Sequence, residues 1–268
     1  LVTRIADSYQ GPAGPKLRLL PTQITLDEVR ALSRPDEPRM LLGIDESALA
    51  PFGINSVDEP CLYLYGDAGS GKTSFLRACA HEISRLYTPQ QAKIFVVDYR
   101  RSLLGDLPDE YVGASLGSHD EATTGIQELV SFFQTRIPGK DVTPEQLRNR
   151  SWWSGAEGFI LVDDYDLVAT SQGNPLAPLA TLLPQAADLG LHLIVTRRAG
   201  GASRAAYDPI IQRLTDIGST GILLSGNPEE GALIGKVKPQ QAPAGRAQIV
   251  SRERGYVAAQ LAFHPSRF

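Results

Sequence analysis

Residues 62–80 read LYLYGDAGSGKTSFLRACA, in which three glycines, a lysine and a threonine separate an apolar run from an alanine-containing run. Within it, residues 66–73 fit the pattern G-x-x-x-x-G-K-[ST], after a predicted strand and before a predicted helix, which is the context that a phosphate-binding loop requires. Glycines let successive backbone N–H groups turn inward and form a nest for phosphate oxygens at the helix N-terminus. The stretch therefore predicts a nucleotide site on an α/β fold.

The side chains of this loop have separate predicted roles. Lys72 is expected to reach the β- and γ-phosphates of ATP, and the Thr73 hydroxyl is expected to bind Mg²⁺. The predicted nucleotide contacts are Gly66, Asp67, Ala68, Gly69, Ser70, Gly71, Lys72, Thr73 and Ser74. A glycine-rich turn that fits the pattern by accident is the alternative, and the flanking strand and helix argue against it.

A second segment supplies the carboxylate that a nucleotide-bound metal needs. Residues 159–164 read FILVDD, which is an apolar strand ending in two acids, the form of a Walker B strand. Asp163 is expected to hold the hydration shell of Mg²⁺, and Asp164 stands where hydrolysing P-loop proteins usually carry a water-positioning Glu. Aspartate is one methylene shorter, and a misplacement of about 1 Å can cost about a hundredfold in rate. We therefore expect ATP binding with slow hydrolysis; a strand that ends in a solvated acidic turn is the alternative.

Three further features are candidate parts of the site or of its interfaces. Thr196 ends a predicted strand and is a candidate sensor of the γ-phosphate, with simple strand capping as the alternative. Arginines that act in trans on a neighbouring nucleotide are sought among Arg198, Arg213 and Arg246, and Arg213 is taken as the candidate. The pair at residues 152–153, WW, is interpreted as core or interface packing, with an interdomain contact as the alternative.

Apolar runs alternate with amphipathic runs along most of the chain. The predicted strands are 61–66, 93–98, 158–166, 191–198 and 221–226, and the predicted helices are 74–87, 121–137, 176–190 and 207–218. This alternation predicts a mainly parallel sheet covered by helices on both faces. Short apolar runs at 40–45 and 50–55 predict a small hairpin at the N-terminal edge. Similar runs at 246–251 and 256–263 predict another at the C-terminal edge. Residues 99–120 show no regular pattern and are interpreted as a functional loop.

Composition and charge limit the classes of function. The 268 residues carry a formal net charge of −4, and no dense Lys/Arg run indicates nucleic-acid binding, so DNA is an improbable partner. No apolar stretch approaches the length of a membrane span, so no direct membrane insertion is expected. Cys61 and Cys79 have no metal-ligand or disulfide pattern and are predicted to pack in the core of a cytoplasmic protein.

The predicted domain organisation is simple. Residues 1–38 contain the proline-rich stretches GPAGPKLRLLP and SRPDEP, and they are predicted to form an incoming linker on the surface of a single domain at 39–268. The first residue is not Met, and we interpret the chain as a piece of a longer polypeptide.

With these elements in place, the chain resembles the FtsK/SpoIIIE group of P-loop ATPases, and more closely the nucleotide-binding domains of EccC ATPases of type VII (ESX) secretion systems. The resemblance runs over nearly the whole chain. It includes LRLLPTQI, FVVDYRRSLLG and RNRSWWSGAEGFILVDDYDLV, and its most specific blocks are VDYRR, SWW, DLGLHLIVTRR and PAGR. The Asp163-Asp164 ending departs from the Asp-Glu of the more active domains of the family.

The resemblance implies a RecA-like P-loop fold and a place in a tandem array of ATPase domains at the inner face of the cell membrane. It implies ATP and Mg²⁺ as cofactors, and as partners the neighbouring ATPase domains of the same or a partner chain. It also implies recruitment of secreted helical-hairpin substrates through their C-terminal signal, which is a task of the last domain, and this chain is expected to be that domain. The alternatives are a DNA translocase motor of the FtsK branch and a small-molecule P-loop kinase, for which no arginine-rich lid is evident.

Overall fold

The computed structural model describes residues 19–267, and its centre is one sheet of ten strands. The strands are β1 Met40–Asp45, β2 Pro51–Ile54, β3 Cys61–Tyr65, β4 Ala92–Val97, β5 Val112–Leu116, β6 Glu157–Val162, β7 Leu191–Arg197, β8 Thr220–Leu223, β9 Arg246–Ser251 and β10 Gly255–Leu261. Their order across the sheet is β2-β1-β10-β9-β8-β3-β7-β6-β4-β5. The run from β8 to β5 is parallel, and the other four strands are antiparallel. The predicted mainly parallel sheet is confirmed.

The α-helices are α1 Leu26–Ala31, α2 Lys72–Leu86, α3 His119–Gln134, α4 Pro144–Asn149, α5 Tyr165–Val168, α6 Ala186–Leu189 and α7 Pro209–Asp216. Helix α2 packs on one face of the parallel part, and α3 and α7 pack on the other. Alternate residues of β3 face opposite sides of the sheet. Leu62 and Leu64 belong to the core that contains Phe75 of α2, whereas Tyr63 belongs to the core that contains Phe133 of α3. The doubly covered α/β fold is thus confirmed, and Cys61 and Cys79 are both buried in it as predicted.

Both predicted hairpins form, and they lie side by side. Strands β1 and β2 pair antiparallel, as do β9 and β10, and β10 also pairs with β1. Strand β9 joins this group to β8, so the hairpins extend one side of the parallel sheet. The extension places the loop before β9 against the phosphate loop, where the amide of Gly245 donates to the carbonyl of Ser70 at 2.9 Å.

The structure differs from the sequence-based prediction in several segments. The strand predicted at 158–166 ends at Val162 and is followed by α5, and the helix α4 was not predicted. Strand β5 lies within residues 99–120, which were interpreted as a loop; its residues alternate between exposed and partly buried, and it is an edge strand that pairs with β4. The predicted helix at 176–190 is instead made of two 3₁₀ turns followed by the short α6. Pro178 and Pro184 explain this difference, because proline lacks the amide that a continuous helix needs.

The N-terminal segment contributes its own small core. Leu26 and Val29 of α1 are buried in a cluster with Leu41, Ala78 and Ala262. Residues 1–18 of the predicted linker lie outside the described residues, and the boundary at residue 38 stays a prediction. Among residues 19–267, no helix is both long and apolar enough to cross a bilayer.

The two tryptophans pack around a buried arginine of the same domain. The guanidinium of Arg136 lies 3.8 Å from the centroid of the Trp153 ring and donates to the carbonyls of Leu189 and Ala156, each at 2.8 Å. Trp152 donates through Nε1 to the Arg136 carbonyl at 2.6 Å. Burial lowers the pKa of Arg136 to about 10. Both tryptophans are half-buried and pack within the domain rather than in its core.

The Arg136→Ala substitution is expected to destabilise the domain. It leaves two carbonyls without their donor and removes the cation–π contact, which together should lower the free energy of unfolding by about 3 kcal/mol. Urea denaturation followed by circular dichroism measures the change. Arg148→Ala, at an exposed position of α4, is the matched control and should change stability by less than about 0.5 kcal/mol. Equal stability of the two variants would contradict the role given to Arg136.

Candidate nucleotide-binding site

The glycine loop runs from the end of β3 into α2 and is shaped by close contacts. A Cβ atom at position 66 would lie 2.9 Å from Cβ of Leu224 and still closer to Oγ of Ser70, so a larger residue does not fit there. Gly71, immediately before α2, has a φ of +109°, a backbone conformation that favours glycine. As Gly71 offers no side chain to cap α2, the first amides of this helix are suited to bind an anion.

The two predicted metal ligands meet at the end of the sheet. Oγ1 of Thr73 donates to Oδ2 of Asp163 at 2.7 Å, and Oγ1 of Thr196 donates to Oδ1 of the same carboxylate at 2.7 Å. Asp163 is almost completely buried. Burial raises the pKa of Asp163, as do the charges of Asp164 and Asp98, against the opposing effect of the two hydroxyl donors. The site therefore holds a desolvated acidic group that a cation would stabilise.

These residues fit a magnesium ion that is shared with a nucleotide. Carboxylate and hydroxyl oxygens are ligands that Mg²⁺ prefers, and Mg²⁺ is commonly held by one or two side chains together with phosphates and waters. Across residues 19–267, no three His, Cys, Asp or Glu side chains converge into a metal site made of protein alone. The donor set of Thr73 and Asp163 agrees with the shared kind of site.

The lysine of the loop faces the second acid. Nζ of Lys72 lies 3.4 Å from Oδ1 of Asp164 and donates to the carbonyl of Asp67 at 3.3 Å. Its side chain is only 8% exposed. The other carboxylate oxygen of Asp164 lies 3.2 Å from Nε of Arg100. Asp164 is therefore shared by two cations beside the predicted position of the terminal phosphate.

Comparison with known proteins identifies relatives of this chain. No family model matches the chain. It is 43% identical over 265 residues to the ESX secretion system protein EccC of Thermomonospora curvata, a match that covers 99% of this chain and 20% of that protein. It is 41% identical over 256 residues to the ESX-4 secretion system protein EccC4 of Mycobacterium tuberculosis, covering 95% and 21%. The chain thus spans about one fifth of the length of these curated relatives.

Solved structures of the same family resemble this chain closely. The cytoplasmic domain of the type VII secretion ATPase EccC of Thermomonospora curvata superposes with a TM-score of 0.91 at 43% identity, over 99% of this chain and 31% of that one. A structure described as an ATPase gives a TM-score of 0.83 at 31% identity, over 92% of this chain and 97% of that one. The chain belongs to the EccC family. The cytoplasmic domain of EssC, at 18% identity and a TM-score of 0.66, shares the fold.

Within this EccC-family domain, the Thr196 hydroxyl contacts the two acids at the end of β6. Its hydroxyl is fully buried and binds Asp163, and it also accepts from the amide of Asp164 at 3.2 Å. Thr196 thus positions both acids of the Walker B strand. Direct sensing of the γ-phosphate by this hydroxyl stays a prediction.

The three arginines proposed to act in trans differ in their surroundings. Arg198 is exposed, and Arg213 is half-buried on α7. Arg246 is held by its own chain, because its guanidinium donates to Oε1 of Gln260 at 3.1 Å and to the carbonyl of Pro21 at 3.0 Å. A role for Arg246 in trans is therefore disfavoured, and the role of Arg213 stays a prediction.

Sequence reasoning missed Arg100 as a site residue. It follows β4, which pairs with β6, and the amide of Asp163 donates to the carbonyl of Val97 at 3.0 Å. The carboxyl ends of these neighbouring strands therefore meet at one edge, which brings Arg100 to Asp164. The block VDYRR places two arginines three and four residues after the end of a buried strand.

A groove lies beside the same segment. It is a cavity of about 280 Å³ whose lining includes the apolar residues Leu103, Leu104, Leu107, Val112 and Leu116 and the charged residues Asp98, Arg101, Asp109 and Glu121. Leu104 is 65% exposed although it is a large apolar residue. The groove is thus a candidate peptide-binding surface.

Proposed function

We propose that this chain is a nucleotide-binding domain of a type VII secretion ATPase that binds ATP with Mg²⁺. The observation that carries the proposal is the meeting of Lys72, Thr73 and Asp163 at the mouth of one glycine loop. Identity of 43% to EccC over 99% of the chain supports it. The contacting residues are those predicted from the sequence, Gly66 to Ser74, with Asp163 as the second metal ligand.

Each residue of the site has a defined task in this proposal. Backbone amides at the start of α2 bind phosphate oxygens, and Lys72 neutralises charge on the β- and γ-phosphates. Thr73 and Asp163 hold the Mg²⁺, which when bound neutralises phosphate charge. Thr196 keeps the Asp163 carboxylate in place through its 2.7 Å hydrogen bond.

We also propose that hydrolysis is slow. Asp164 has a short side chain, and its carboxylate oxygens lie 3.4 Å from Nζ of Lys72 and 3.2 Å from Nε of Arg100. Its carboxylate reaches one methylene less far than that of Glu, and a misplacement of about 1 Å can cost about a hundredfold in rate. Tight binding without fast turnover suits a domain in which the nucleotide is a structural part.

The proposed partner of the groove is a substrate signal peptide. A structure of EccC from Thermomonospora curvata, comprising its ATPases 2 and 3, contains a signal sequence peptide and is 43% identical to this chain over 99% of it. We propose that the groove beside Leu104 binds an amphipathic helical segment from the C-terminal signal of a secreted helical hairpin. The domain then acts at the inner face of the cell membrane, as the last of several tandem ATPase domains, with residues 39–268 as one unit.

The first test is nucleotide binding. Lys72→Ala removes a charge that the phosphates need, and we expect ATP affinity to fall by about a hundredfold. Isothermal titration calorimetry with ATP and Mg²⁺ measures this change, and circular dichroism checks the fold. Lys140→Ala, at an exposed loop position, is the matched control and should bind as the wild type does. Unchanged ATP affinity in the Lys72 variant would overturn the proposed site.

The second test concerns turnover. The isolated domain should hydrolyse ATP far below the roughly 10 s⁻¹ that is typical of enzymes. Asp164→Glu should raise the rate because its carboxylate reaches farther, at some cost in stability because the φ of +45° suits Asp better. Asp164→Asn has the same length without the charge and should not raise the rate. A coupled phosphate-release assay measures all three; wild-type turnover of several per second would contradict the proposal.

The third test separates substrate recruitment from DNA translocation. Peptides from the C-terminal signals of helical-hairpin substrates should bind with little dependence on salt, and Leu104→Glu should abolish that binding by placing a charge in the groove. Leu147→Glu, at an exposed leucine of α4, is the control and should bind normally. Fluorescence anisotropy with labelled peptide and labelled duplex DNA gives both affinities. DNA binding that is tight and salt-resistant, with no peptide response, would favour the translocase.

A further inference from the structure

Residues 98–107 form a segment that touches both the nucleotide site and the groove. At one end, Nε of Arg100 lies 3.2 Å from Oδ2 of Asp164. A few residues later, Leu103, Leu104 and Leu107 line the groove. One short stretch of chain, which we call the coupling segment, therefore has a contact with each of the two surfaces.

The coupling segment is tied internally, so its two ends do not move independently. Asp98 is buried, and its carboxylate accepts from the amide of Arg100 at 3.0 Å and from the amide of Leu103 at 2.8 Å. Farther along, the carboxylate of Asp106 lies 2.8 Å from Nε of Arg77 on α2. The backbone amides of Arg100 and Leu103 are thus joined through one carboxylate.

Both sides of the Arg100–Asp164 ion pair carry strained backbone. Asp164 has a φ of +45°, and Arg101, next to Arg100, has a φ of +57°. Residues other than glycine adopt such values rarely, and they concentrate at functional sites and switch regions. The side chain of Arg100 is 56% exposed, so its ion pair is partly screened by solvent and is readily exchanged for another anion.

The terminal phosphate is the anion that this position suits. Lys72 and Arg100 both contact the Asp164 carboxylate, at 3.4 and 3.2 Å. A phosphate that Lys72 binds lies within reach of the same pair of cations. Its higher charge lets it compete with a single carboxylate for Arg100. A nucleoside diphosphate lacks this group and leaves the ion pair in place.

We infer that Arg100 binds the terminal phosphate of a bound nucleoside triphosphate, and that the residues of the coupling segment that line the groove shift in response. With a triphosphate, Arg100 leaves Asp164 for the phosphate, and the coupling segment follows it through the shared Asp98 contact. With a diphosphate, Arg100 stays on Asp164. The inference rests on the proposed function, since it assigns to that nucleotide site a control over that groove.

Hydrogen exchange read by mass spectrometry tests the inference. The chain is measured with ADP and with a non-hydrolysable ATP analogue, both with Mg²⁺, as wild type, Arg100→Ala, Arg100→Lys and Arg148→Ala. In the wild type and in the Arg148 control, exchange over residues 98–107 should differ between the two nucleotides by about fivefold or more, the lower range of measured site couplings. Each variant is measured at nucleotide concentrations that saturate it, as set by calorimetry. Arg100→Ala should bind the triphosphate analogue more weakly and should lose this difference at saturation, and Arg100→Lys should restore part of it.

Calorimetry on the same samples distinguishes two kinds of failure. If the wild type binds neither nucleotide, the proposed function and this inference are both contradicted. If both nucleotides bind but residues 98–107 exchange equally with each, the nucleotide site stands and the inference is overturned. The same conclusion follows if Arg100→Ala responds as the wild type does, because the response would then not pass through Arg100.

Discussion

The hydrogen bond from Thr73 to Asp163 joins residues that are 90 positions apart in the chain, and the rest of the site depends on it. It forms because the carboxyl ends of parallel strands meet at one edge of the sheet, where the loop after β3 lies two strands from the end of β6. The intervening strand, β7, supplies Thr196 from between them. Strand order, and not the loop alone, therefore turns a glycine-rich turn into a site for a nucleotide with its metal.

The parts of the fold that could be predicted from sequence are those that have a local cause. The glycine loop, the apolar parallel strands and the two hairpins are each specified by residues within a few positions of one another. Strand β5 has no such signal, since its residues VGASL include the small residues Gly113, Ala114 and Ser115, and the strand pairs along the edge that β4 offers. The segment at 176–190 shows the reverse case, in which an apolar pattern suggested a helix that two prolines prevent.

The residues of the candidate site also form two groups, those that a sequence motif identifies and those that only the fold brings to the site. A motif identifies Lys72, Thr73 and Asp163, because phosphate and metal chemistry need those residue types at that spacing. Side chains whose role depends on distant partners are not identified. The bonds of Arg246 to Gln260 and Pro21 depend on the folded structure, and so does the contact of Arg100 with Asp164, although the block VDYRR places two arginines soon after a buried strand.

The two edges of the sheet have a consequence for chains that carry several such domains. Strand β2 is four residues long and begins with Pro51, and its pairing with β1 is interrupted at Leu41 and Gly43. At the opposite edge, β5 is five residues long and its pairing with β4 shifts register near Ile94. Short, irregular edges are poor templates for strand addition. Copies of this fold held at high local concentration along one polypeptide can thus fold beside one another without exchanging strands.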